Sequence, residues 1–183
     1  MPTIRFPRLA ALCASMLTLV VLGADAPTQT VEVEGLSFQV PAAWKKAKLN
    51  SPMRKAQLEA PPVKGDKEPG VLAVFIFPES AGTVAENVER WRNQFKSKDG
   101  QAVKADVKKV KGKNVDVTRV EVAGTYTDPF GGKGAQPAHR LLGAIVETKQ
   151  AAYFLRMVGP EATMNQAEPG FDALIKSMSL AGR

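Results

Sequence analysis

His139 is the only histidine and Cys13 the only cysteine among 183 residues. That scarcity bounds the chemistry before any fold is considered. A histidine-based triad would have to use His139, which sits beside Arg140 at the start of a candidate strand with no nucleophile motif in view. No G-x-S-x-G elbow is there to expose a serine. His139 therefore reads as an exposed or hydrogen-bonded structural histidine. Zinc takes nitrogen and sulfur ligands, and one histidine without thiolates does not supply them. The carboxylates lack calcium-loop spacing. Paired-carboxylate chemistry stays open, because two acids can meet in space from anywhere in a chain, although no pair stands out. No catalytic, cofactor-binding or metal-ligating residue is assigned, and no cofactor is expected.

Two further motifs invite a ligand. Gly131, Gly132, Lys133 and Gly134 suggest a phosphate loop, but Thr127 stands at the first glycine position and Gly134 replaces the magnesium-binding hydroxyl. A plain glycine loop is the better reading. Lys104, Lys108, Lys109, Lys111 and Lys113 decorate one candidate strand and turn, opposed only by Asp106. With a change of phase at Lys108–Lys109, all five point away from the core face. They either blunt a sheet edge against aggregation or form an anion-binding patch for lipid head groups, polysaccharide or an acidic protein. No nucleic-acid partner is expected: the compartment read from the N-terminus is wrong for it, and no aromatics interleave with the lysines as stacking platforms do.

The N-terminus sets the compartment. Arg5 and Arg8 precede LAALCASMLTLVVL at 9–22, uncharged and too short to span a bilayer, and Gly23, Ala24 and Ala26 follow. This is a Sec-type signal peptide over residues 1–24, with a globular domain at 25–183. The arginines are not adjacent, which disfavours a twin-arginine signal. Leu12 before Cys13 disfavours a lipobox. No later stretch is apolar and long enough to span a membrane. A periplasmic or extracellular protein results, and its only cysteine leaves with the leader, so its stability must come from its core rather than from disulfides. Removing Arg5 and Arg8 leaves 23 basic against 18 acidic residues, about +5. Hydrophobic content of 44% against 23% charged is the ordinary globular mix.

Periodicity supplies the framework for any site. Val31 and Val33, then Leu36, Phe38 and Val40, alternate around Gly35 as a hairpin ended by Pro41. RKAQLE at 54–59 is a strand. VLAVFIF at 71–77 is apolar without alternation, as in a central strand covered on both faces. Thr83 and Glu86 form a capping box. Val84, Val88, Trp91 and Phe95 continue it as one helical stripe, with Trp91 as the core anchor packed on the VLAVFIF strand and Asp99-Gly100 as the stop. Strands at 103–111 and 114–123 each change parity, which suggests paired bulges or a sharply twisted ribbon. LLGAIVE at 141–147 and AAYFLRMV at 151–158 form a central hairpin. Thr163 and Gln166 cap a turn, Pro169 interrupts, and Phe171, Leu174, Ile175 and Met178 form a last helical stripe. The sum is an α+β fold, with an antiparallel β-sheet sandwiched or flanked by helices.

A family resemblance rests on this succession. The turn from Pro41 to Trp44, SPMRKAQLE at 51–59, ENVERWRNQF at 86–95, VEVAGTYTD at 120–128, RLLGAIVET at 140–148 and FLRMVGPEATM at 154–164 resemble a family of uncharacterised exported bacterial proteins. More distantly, the order of elements is similar to the PsbP-like fold, shared by the PsbP subunit of photosystem II and a Ran-binding nuclear import factor. The resemblance implies an accessory binding domain rather than an enzyme, and no functional residue carries over. The expected function is thus a non-catalytic exported binding or accessory domain, whose partner is an anionic envelope component or another exported protein. The alternatives are an enzyme with carboxylate or serine chemistry hidden in the fold, and a small-ligand carrier with a closed apolar pocket.

Overall fold

The computed structural model describes residues 26–78, 81–129 and 133–181. The expected leader with Cys13 lies outside them, as do Gly131 and Gly132. No helix among the described residues is long and apolar enough to cross a membrane.

The first hairpin forms as its alternation requires. Strands β1 (Thr28–Val33) and β2 (Leu36–Pro41) pair antiparallel. Glu34 and Gly35 join them, both at positive φ (44° and 83°). Two left-handed residues match the twist of the flanking strands, and glycine takes that conformation without a Cβ penalty. The short β11 (Ser179–Leu180) adds to β2 to complete a three-stranded sheet.

The larger sheet takes β3 (Lys45–Lys46), β4 (Arg54–Ala60), β5 (Gly70–Pro78), β6 (Phe95–Lys96), β7 (Asp106–Lys111), β8 (Asp116–Tyr126), β9 (Gln136–Glu147) and β10 (Ala151–Pro160). Its order is β3-β4-β5-β10-β9-β8-β6, with β7 also on β8, and every pairing is antiparallel. The central β9–β10 hairpin is the expected one. The α+β class is therefore realised, with one helix on each face.

Helix α2 (Glu161–Ser177) lies between the two sheets. Its Met164, Phe171, Leu174 and Ile175 pack with Leu36, Phe38, Trp44, Leu72, Val74, Leu142 and Leu155 in the larger core. Pro169 does not interrupt it. Both Pro169 and Asn165, whose carbonyl the proline leaves without its usual N–H donor, are exposed, so water can serve that carbonyl. Thr163 is no cap either. Asp66, from the loop after β4, accepts from both the backbone N–H of Thr163 (3.0 Å) and its hydroxyl (2.6 Å), serving the helix start from outside.

Helix α1 (Val84–Arg92) covers the other face. Its capping box is complete, with Thr83 Oγ1 accepting from the Glu86 N–H (3.2 Å) and Glu86 Oε2 from the Thr83 N–H (2.7 Å). The helix ends at Asn93, earlier than the stripe suggests, because Phe95 and Lys96 leave to pair with Tyr126 and Thr125. Trp91 is buried, but its principal seat is not the VLAVFIF strand. Its ring lies over Gly143 of β9, where a Cβ would come within 2.2 Å of it, and packs edge-on to Phe154 of β10 (6.3 Å between centroids). From β5 only Phe75 joins this second cluster.

The parity changes have a cause other than paired bulges. The β7–β8 register runs unbroken from Asp106↔Glu121 to Lys111↔Asp116. Val117 faces the α2 core while Val120 and Val122 face the α1 core. The strand is covered on both sides by different helices along its length, so both parities are apolar without any irregularity. The register shift in this strand comes later, between Gly124 and Tyr126 opposite His139 and Gln136, where Ala138 takes φ 50°.

Candidate functional site

Nine residues of α1 reach only about 13 Å, too short for the width of a seven-strand path. The β4–β5 half of that face stays open. There the sheet floors a cleft of about 390 Å³. Register places its central row: Gln57 on β4 opposite Ala73 on β5, Ala73 opposite Arg156 on β10, and Arg156 opposite Gly143 on β9. Small residues on both sides give the Arg156 guanidinium room above the sheet. Arg54 enters from the bulged start of β4. The bulge at Gly124–Tyr126 delivers Tyr126 at the far wall, a use of bulges common beside sites.

The two arginines are held alike. Arg54 donates to Gln57 Oε1 (2.6 Å) and lies over the Phe75 ring (5.9 Å). Arg156 donates to Gln94 Oε1 (2.6 Å) and to the Tyr126 hydroxyl (2.6 Å), and lies over the Tyr126 ring (5.5 Å). The Arg156 Nε–H is buried with no hydrogen-bond partner among the described residues. Burial, and then the charge of Arg156, push the pKa of Arg54 below the ordinary guanidinium value, against the pull of Asp128. Burial raises the Tyr126 phenol despite the neighbouring arginines, so it keeps its proton at neutral pH.

His139 lines the same cleft. Its Nδ1 lies 3.0 Å from the Pro137 carbonyl, and its ring stacks on Tyr126 (6.2 Å, 17°). Its hydrogen-bond contact is thus to a backbone carbonyl and its ring contact to a phenol. Lys133 of the glycine loop also reaches the cleft wall, where it pairs with Glu68 at 2.6 Å.

A second polar cluster lies on the opposite face of the sheet. Arg119 of β8 contacts Glu121 (3.1 Å), Glu168 (2.5 Å) and Asp172 (2.8 Å), and Arg140 of β9 contacts Glu121 (2.6 Å), Glu168 (2.8 Å) and Asn165 (2.7 Å). Burial disfavours the charge on each arginine, but the hydrogen bonds they donate to the carboxylates outweigh it and raise both pKa values. This network ties α2 to the sheet. The carboxylates with displaced pKa values (Glu86, Glu89, Asp116 and Glu168) all move downward, each led by a hydrogen bond to its charged form, and none lines the arginine cleft.

The five lysines do not share a face. In the unbroken register, Lys108 lies on the α2 side with Arg119 and Glu121, while Lys109 and Lys111 lie on the other. Lys108 pairs with Asp106 (2.5 Å), Lys111 with Asp116 (2.5 Å), and Lys109 donates to Thr118 Oγ1 (2.7 Å). Lys104 and Lys113 sit in the flanking loops, exposed. Among the described residues β7 pairs only with β8, which makes it an edge strand there.

Neither Arg54 nor Arg156 stands out in the sequence as a site residue. The one legible signal is Arg156 itself, a charge in the middle of the apolar strand AAYFLRMV, where a core strand has no use for one.

No family model matches the chain, and no curated protein matches it in sequence. Solved structures do. The solution structure of cyanobacterial PsbP (CyanoP) from Synechocystis sp. PCC 6803 aligns with 92% of this chain and 98% of its own, at TM-score 0.54 and 13% identity. The fold is PsbP-like. LpqN of Mycobacterium tuberculosis, described as involved in cell envelope biogenesis, aligns over 87% of each chain at TM-score 0.54 and 9% identity. At these identities the PsbP-like likeness speaks for the fold alone.

Proposed function

We propose that this protein is an exported accessory domain that binds, without transforming, a ligand or partner in the Arg54–Arg156 cleft. The observation that carries the reading is the cleft's composition. Two anchored guanidiniums, a protonated phenol and side-chain amides make a recognition surface, and His139, which shares the cleft, contacts a backbone carbonyl rather than a nucleophile. The clustered, partly buried acids lie on the opposite face, where Arg119 and Arg140 hold them as ion pairs. A carrier for apolar ligands needs a closed apolar pocket, and this cleft is open and polar. The leader-like residues 1–24 and the envelope role in the description of LpqN support an extracytoplasmic location.

The lysines of β7 belong to the same reading as protectors of an exposed sheet edge. The test expresses the full chain in a bacterial host, fractionates the cells and weighs the exported protein. It should be recovered outside the cytoplasm with its N-terminus between Ala24 and Pro27, and should turn over no ester, phosphoester, glycoside or peptide probe. A retained Met1, a lipid on Cys13, or turnover abolished by R156Q would overturn the proposal.

A further inference from the structure

Arg54 and Arg156 converge on one cleft from strands that are not neighbours, each braced by an amide oxygen and backed by an aromatic ring. Bracing of this kind fixes the plane of a guanidinium and leaves its remaining N–H groups pre-aimed, which is how planar oxyanions are recognised. The Nε–H of Arg156 is buried and has no hydrogen-bond partner among the described residues. The Tyr126 hydroxyl accepts from Arg156 and so keeps its own proton to give.

The rest of the wall limits the ligand's charge. Glu59 and Asp128 also line the cleft, and Lys133 is already paired with Glu68. Two arginines facing two carboxylates do not make a sink for polyanions. Recognition must come from the geometry of the forks, which suits a single planar negative group on a small body. A space of about 390 Å³ is at the small end of ligand pockets.

We propose that the cleft is a carboxylate-binding site in which the guanidinium groups of Arg54 and Arg156 grip one carboxylate and the Tyr126 hydroxyl donates to it. The proposal rests on reading the cleft as a binding site and names the chemistry it binds. The carboxylate belongs either to a free small acid or to the C-terminus of a peptide. Val71, Ala73 and Val158 on the floor offer apolar contact to the rest of the ligand.

The experiment titrates the intact exported protein, followed by the backbone amide and arginine Nε–Hε signals in NMR. The probes are sodium succinate, N-acetyl-dialanine with a free C-terminus, the same peptide amidated, inorganic phosphate and sodium chloride. A saturable shift of the Arg156 Nε–H and of cleft amides is expected with succinate, with the free-acid peptide, or with both. It should be weakened about tenfold or more in R54Q and R156Q. R156K should also lose it, because an ammonium keeps the charge but not the fork. Unmoved resonances on the α2 face certify that the variants fold. Succinate alone assigns the source to a free acid, and the free-acid peptide alone assigns it to a chain end. The idea is overturned if the amidated peptide, phosphate or chloride shifts these signals as strongly as the carboxylates. Failure of both carboxylates to saturate in the millimolar range, or undiminished binding in the arginine variants, overturns it too. Such a failure leaves the exported, non-transforming reading standing, since that test reads compartment and turnover rather than affinity.

Discussion

At Gly143 the indole of Trp91 occupies the space a side chain would need. The pair acts as a unit, so both members should be sensitive in opposite senses. Trp91→Ala leaves a cavity beneath α1 and should cost about 3–5 kcal/mol in urea melts. Gly143→Ala overfills the same place and should cost about 1–3 kcal/mol. A change below about 1 kcal/mol for Trp91→Ala would mean the ring is not buried as described. Thr83→Ala removes the hydroxyl half of the capping box and should cost about 0.5–2 kcal/mol, an ordinary loss for an N-cap. The Thr83–Glu86 spacing is legible in the sequence because a capping box is local. The seat of Trp91 is not, because helical spacing tells which face of α1 is apolar but not which strands lie beneath it. The sequence puts the ring on 71–77, while the sheet order puts β10 and β9 there.

Helix α2 is the element most dependent on electrostatics. A hydrogen bond from Arg140 leads the causes that hold the Glu168 carboxyl below the ordinary glutamate range. A group with a depressed folded pKa contributes stability fully above its unfolded value, and that stability is lost as pH falls through the folded value. Unfolding free energy should therefore decline as the pH drops from about 5 toward 3, and the decline should be shallower in Glu168→Gln. At pH 7 the same variant leaves Arg119 and Arg140 short of a partner and should cost about 1–3 kcal/mol, less than a fully buried pair because Glu168 is partly exposed. An equal acid slope in both proteins would mean that Glu168 plays no part in the acid loss. Strand β7 invites a different test. Replacing Lys108, Lys109, Lys111 and Lys113 by Gln should increase self-association in sedimentation and leave retention on anionic vesicles unchanged. A salt-sensitive loss of retention would instead restore the lysines as an anion-binding patch. Pro169 shows why elements are harder to read than residues. A proline inside a helical pattern signals a break, but here the helix face that carries it is the solvent face, and the orphaned carbonyl there can find water.

For the molecule as a whole, hairpins, the capped helix and the α+β class were legible, since alternation, turn residues and caps act over a few neighbours. The cleft was not. Arg54 and Arg156 lie about a hundred positions apart and meet only because β5 pairs with β4 on one side and β10 on the other. Strand order is set by packing of both faces against two helices, and no local pattern encodes it. The open half of the sheet likewise depends on α1 stopping at Asn93, where Phe95 leaves for β8. The molecule is thus a PsbP-like scaffold in which one face is closed by α2 and the other presents two braced arginines. The most direct measurement incubates the purified protein with cell-envelope extract and weighs the recovered complex by native mass spectrometry, beside the R54Q/R156Q variant. The wild type is expected to carry a bound species, released with its mass unaltered, that the variant lacks. Equal loading of both proteins, or release of a chemically altered species, would contradict a binding role for the cleft.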